Sequence, residues 1–203
     1  MLRPEGFALL ARRRYRLAFV IATGGHWLTS ILAGRMPTIG RAVADSRVVP
    51  VDAPLPAIVA ALNAFQPLLL HSYPTFLVVL CAEARKGTLR IEPEILSVGS
   101  EPLSLACRAA VGAAFPRARL VETYAATECL AMATSCPHGA VHVNEDACVL
   151  EPVDDDLAAV PMGREAPRVL VTNLLNTVQP LVRYELTDSI ILDDGPCPCG
   201  SPF

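Results

Sequence analysis

The chain predicts an α/β fold: a mostly parallel sheet flanked by helices, with a mixed or antiparallel β portion towards its C-terminal end. Two observations carry this. Short β-branched runs alternate with longer helical patterns up to about residue 125, the signature of βαβ units. From about residue 141 the helical patterns stop and hairpin-like runs follow one another.

The series opens with LAFVIAT (17–23), a buried strand by composition. Arg12-Arg13-Arg14 ahead of it resembles the basic region of a signal peptide, but the apolar stretch is shorter than a signal core and far below the ~20 residues that span a bilayer. VVPVDA (48–53) reads as a second strand, followed by helices over 53–65 and 73–87. ILSVGSE (95–101) is a strand ending in a Gly-Ser turn, LSLACRAAVGAAF (103–115) a helix, and RLVETYA (119–125) a strand. The later strands are VHVNEDACVLEPVD (141–154), RVLVTNLL (168–175) and LVRYELTDSIILDD (181–194). There is no internal repeat, low-complexity tract or long linker, so residues 1–140 and 141–203 read as two subdomains of one unit.

A hydrophobic content of 52% over 203 residues excludes a disordered chain. The net charge of −3 gives no general case for nucleic-acid or anionic-membrane binding, which favours small-molecule chemistry. Seven scattered cysteines, with Cys81 and Cys107 inside apolar runs, fit a reducing cytoplasm rather than a disulfide framework.

Three polar clusters stand at predicted turns: Gly99-Ser100-Glu101-Pro102, Tyr124-Ala125-Ala126-Thr127-Glu128, and Arg183-Tyr184-Glu185-Leu186-Thr187-Asp188. Ligands of open α/β sheets gather outside the carboxyl ends of strands, which makes the first two joint candidates for one pocket wall. At a strand-to-helix turn, backbone N–H groups face a ligand, Thr127 offers a hydroxyl, and Glu128 offers a carboxylate to a divalent cation. Asp188 has the acceptors to take two ribose hydroxyls. Each cluster alone also reads as a helix cap or as strand-surface packing.

Together, these clusters and the stretches ATGGHW, LNAFQPLLLHSYPTFL, CPHGAVHVNEDACVLEPVD, VLVTNLLNTVQPLVRYELTD and CPCGSP resemble the adenylate-forming acyl-CoA synthetases. The likeness is to their phenylacetate-CoA ligase and coenzyme F390 synthetase branch. YAATE resembles that family's Tyr-Gly-x-Thr-Glu motif, with Ala125 where glycine is usual, and RYELTD resembles its ribose-gripping motif. The fold implied is part of the large domain, with the acyl and adenine pocket in 1–140 and the ribose motif in 141–203.

The resemblance implies ATP, Mg2+ and CoA as reactants and cofactor: a carboxylic acid attacks the α-phosphate, and CoA then displaces AMP. Glu128 would hold Mg2+, Thr127 would contact the α-phosphate, and Tyr124 would pack near the adenine or acyl group. Asp188 would accept from the ribose, and residues 99–102, with Ala125 and Ala126, would line the nucleotide. His26 falls where the family places an acyl-pocket residue; beside Trp27 it reads equally as a packing residue. Phe65 and Tyr73 suit a hydrophobic acid or a core.

The family's phosphate loop has no counterpart near Thr23-Gly24-Gly25, and its lysine-bearing C-terminal domain is expected after CPCGSP, where this sequence ends. The isolated chain is therefore expected to be a poor ligase, dependent on a companion chain or a homodimer. The alternative is a non-catalytic nucleotide-binding remnant stabilised by zinc. Cys136, His142, Cys197 and Cys199 make a set of four N/S ligands suited to tetrahedral Zn2+, with His138 as a substitute, or else a group of reduced surface thiols.

Overall fold

The computed structural model describes residues 15–23, 44–130, 132–193 and 195–201; His26 and Trp27 lie outside them. The chain divides into two units, Met1–Glu122 and Thr123–Phe203.

The first unit is a parallel sheet with helices. Its strands are β1 (Tyr15–Ile21), β2 (Ala44–Pro50), β3 (Leu69–Ser72), β4 (Ile95–Val98) and the Arg119–Glu122 part of β5 (Arg119–Tyr124), in the order β2-β1-β3-β4-β5. β1 is the apolar run that resembled a signal core. Ala18, Val20 and Ile21 are fully buried there, as a strand between two parallel neighbours requires. The order reverses between β1 and β3, the topological switch where open α/β sheets form their crevices.

β3 was not anticipated, because its four residues, LLHS, are too few for a period to emerge and half of them are polar. Neighbouring strands take up two of those polar atoms, while His71 Nε2 is buried with no hydrogen-bond partner. Ser72 Oγ donates to the Val20 carbonyl (3.2 Å), and His71 Nδ1 lies 3.1 Å from Ser97 Oγ. Burial lowers the His71 pKa to about 4, so the ring is neutral at physiological pH.

Among the described residues, three helices cover the sheet: α1 (Leu55–Phe65), α2 (Pro74–Arg85) and α3 (Leu105–Ala114). α1 buries Ile58, Val59, Leu62 and Phe65, one stripe at helical spacing, so Phe65 is core. Pro74 opens α2 at a position where its missing N–H costs nothing. Ser104 caps α3 by accepting from Cys107 N at 3.1 Å. Cys81 and Cys107 are buried in the same core as these stripes, and burial pushes the Cys81 thiol up to about 11, so it is inert.

The second unit is antiparallel throughout. Thr123 and Tyr124 of β5 pair with β6 (Ala133–Ser135), and β6 pairs with β7 (Val141–Val143). β8 (Cys148–Val153), β10 (Arg168–Asn173) and β11 (Tyr184–Leu186) form a sheet in the order β11-β10-β8. β9 (Glu165–Ala166) pairs with β12 (Ile190–Ile191). Cys129, Met132, Cys148 and Val171 form the small buried cluster of this unit. Among the described residues no helix is long and apolar enough to cross a membrane.

Candidate functional site

In the first unit, Gly99, Ser100, Glu101 and Pro102 follow directly on β4. Ser100 takes a left-handed conformation (φ 67°), which turns the chain sharply at the strand end. Glu101 Oε2 accepts from Thr75 N at 3.0 Å, so this carboxylate caps the first turn of α2.

In the second unit, the Tyr124–Glu128 stretch leaves β5 and enters a bend closed by two backbone bonds, Ala126 N to Cys129 O (3.0 Å) and Cys129 N to Ala126 O (3.2 Å). No helix follows among the described residues; the chain goes on to β6, which corrects the strand-to-helix turn expected from sequence. Ala125 does not have a positive φ, so alanine in place of the usual glycine carries no backbone penalty here.

This bend is tethered from the strands beside it. Asn173, at the end of β10, donates from Nδ2 to the Glu128 carbonyl (2.9 Å), while its Oδ1 accepts from Leu175 N and Asn176 N at 2.9 and 3.1 Å. Tyr184 OH donates to Glu128 Oε1 at 3.3 Å. Glu128 thus has a fixed main chain and a carboxylate with acceptor capacity to spare, while Thr127 stands exposed at the apex. Asn173 escaped sequence reasoning: it lies 45 residues from Glu128, and an Asn at a strand end reads as an ordinary turn former.

Asp188 is exposed and lies close to the end of β5. Tyr124 OH donates to its Oδ2 at 2.7 Å. Burial first, then the hydrogen bond and charge of Asp188, raise the Tyr124 pKa well above that of a free phenol, so the tyrosine remains the donor. A carboxylate has about four acceptor positions; with one occupied, Asp188 keeps enough for two hydroxyl donors.

A second group lies at the β6–β7 hairpin. The ligand atoms of Cys136, His142, Cys197 and Cys199 all lie within 4.8 Å of one another. Cys136 Sγ is 3.7 Å from Cys197 Sγ, and Cys199 Sγ is 3.3 Å from His142 Nε2. His138 is not in this group, although it lies in the same loop. Desolvation opposes ionisation of Cys136, but hydrogen bonds from the His138 backbone, His142, Cys197 and the Ala140 backbone outweigh it and bring the thiol down to about 6. Cys129 and Cys148 are buried in the small core instead.

No protein-family model and no curated protein matches the sequence. Solved structures do match the fold. The fold is shared with CoA ligases that were solved with acyl-AMP bound. 2-Hydroxyisobutyryl-CoA ligase, in an open conformation with 2-HIB-AMP and CoA, matches with a TM-score of 0.73 and 17% identity over 93% of this chain and 43% of that one. An anthranilate-CoA ligase in complex with anthranoyl-AMP matches at 0.58 and 18%, over 83% and 33%. The luciferase-like enzyme of the mealworm Zophobas morio matches at 0.58 and 15%, over 83% and 41%. The chain spans about two fifths of the length of the first of these relatives.

Proposed function

We propose that this chain carries the ribose- and Mg2+-binding part of an AMP-forming carboxylate-CoA ligase of the phenylacetate-CoA ligase type. The observation that supports this most is the pairing of two carboxylates on separately tethered segments of one unit. Asp188 is held by Tyr124 OH at 2.7 Å, and Glu128 lies in a bend held by Asn173 and Tyr184.

In this reading the remaining lone pairs of Asp188 accept from the ribose 2′- and 3′-hydroxyls, with Tyr124 fixing the carboxylate's rotation. Thr127 donates its hydroxyl to the α-phosphate. Glu128 supplies one oxygen to Mg2+, an ion that keeps several waters and needs few protein ligands, and whose charge offsets that of the phosphates. A carboxylate oxygen of the acid attacks the α-phosphorus and the bond to pyrophosphate breaks. The CoA thiolate then attacks the acyl carbon of the mixed anhydride and expels AMP.

Calorimetric titration with AMP tests the nucleotide site. Saturable one-to-one binding, at least tenfold weaker in Asp188→Ala, supports it, since losing two hydrogen bonds to a charged acceptor costs about 1.4 kcal/mol or more. Affinity unchanged by that substitution, or no binding at all, overturns it. A binding module without turnover is separated by carboxylate-dependent exchange of pyrophosphate into ATP. Exchange favours the ligase; its absence beside intact AMP binding favours the module.

A further inference from the structure

We propose that Cys136, His142, Cys197 and Cys199 bind one Zn2+ ion as a structural site that pins the 197–199 segment to the β6–β7 hairpin. The four ligand atoms stand within 4.8 Å of one another, close enough for one four-coordinate ion to bind them all. With Zn–S near 2.3 Å and Zn–N near 2.05 Å, tetrahedral angles place two sulfurs about 3.8 Å apart and a sulfur and a nitrogen about 3.6 Å apart. The observed separations are 3.7 Å for Cys136 and Cys197 and 3.3 Å for Cys199 and His142. A disulfide would bring sulfurs to about 2.05 Å, far inside the distance seen.

The backbone around the ligands is shaped for the same purpose. After Cys136 the chain reverses at once: Gly139 N donates to Cys136 O (2.9 Å) and Cys136 N to Ala140 O (2.8 Å), with Gly139 at φ 86°. That turn returns the chain into β7, where His142 pairs with Thr134. On the other arm Gly200, at φ 73°, donates to Cys197 O (3.0 Å), and Ser201 N donates to Cys199 Sγ at 3.4 Å. An N–H aimed at a cysteine sulfur is the outer-shell contact that steadies a metal-bound thiolate.

The site has a structural consequence. Cys136 and Cys197 are 61 residues apart, and the chain between them carries β8, β10, β11 and Asp188. An ion joining them closes that loop, in a unit whose buried apolar cluster is small. It also holds the chain nine residues beyond Asp188 to a hairpin that continues from the β5–β6 ladder, where Tyr124 stands.

The test uses the full chain purified under reducing conditions. About one zinc per chain is expected on elemental analysis, with Co2+ substitution giving the thiolate charge-transfer band and tetrahedral ligand-field bands. His142→Ala and the Cys197→Ser/Cys199→Ser pair should lose at least ~90% of the metal, while His138→Ala keeps it. Should the variants fail to fold, the wild-type protein still decides. Chelation should lower its melting temperature and speed amide exchange in 184–201, and Zn2+ should restore both. Reduced protein with no zinc and no cobalt–thiolate band, a Cys136–Cys197 disulfide in its place, or metal lost in His138→Ala but kept in His142→Ala overturns the proposal. Weaker AMP binding by the zinc-free protein is a further expectation that rests on the nucleotide reading. If AMP never binds, that reading fails while the metal arm stands.

Discussion

The two units are stabilised in different ways. The first surrounds its parallel sheet with fully buried Val20, Ile58, Leu62, Leu70, Leu80 and Leu96, each contributing about 1.5–3 kcal/mol by leaving water. The second buries Val153, Val169 and Leu170 beside the smaller cluster of Cys129, Met132, Cys148 and Val171, and long-range polar contacts connect its segments: Tyr124 to Asp188, Asn173 to Glu128, and the cysteines around His142. In the first unit, the described candidate residues, 99–102, lie at a strand end. In the second unit, the proposed ligand-binding residues are also among those that tie distant segments together.

The sharpest way to break this comparison is a truncation in each core. Leu62→Ala should cost about 3–5 kcal/mol in urea unfolding, whereas Met132→Ala should fall near 2 kcal/mol because a thin cluster collapses more readily. Equal costs would mean that the second unit has a core as demanding as the first.

A pH titration comes next. The folded pKa of His71 is about 4, below its ordinary value of 6.5, so the unfolded state binds the extra proton between the two. Stability is fully present above pH 6.5 and is lost as the pH falls towards 4, by about 3 kcal/mol in all. Urea midpoints measured across that window should show the loss in wild type and not in His71→Gln.

In the second unit, Asn173→Ala leaves the Glu128 carbonyl and two loop N–H groups without this partner, an expected loss of about 1–2 kcal/mol. Asn173→Asp keeps the acceptor and should recover part of it. The smallest effect is the helix cap: Ser104→Ala should cost about 1 kcal/mol.

The same contrast explains what could be read in advance. Helices α1 to α3 were legible because stripes such as Ile58, Val59, Leu62 and Phe65 repeat at helical spacing. β3 was not, since LLHS hides its polar groups in contacts to Val20 and Ser97 that only pairing creates. In the second unit the chemistry-bearing residues could be singled out by type: Asp188, Glu128 and the cysteine–histidine set. Their tethers could not. Tyr124 to Asp188 spans 64 residues and Asn173 to Glu128 spans 45, separations at which sequence carries no distance. The bend after Tyr124 was misread as the start of a helix because Thr-Glu is also a capping pair.

The central claim is that Asp188 reads ribose hydroxyls, and comparing AMP with 2′,3′-dideoxy-AMP on wild-type protein and on Asp188→Ala tests it most directly. The account predicts that removing the hydroxyls weakens binding to wild type at least tenfold and leaves binding to the variant unchanged, because their partner is already gone. Equal affinity of wild-type protein for the two nucleotides would contradict it.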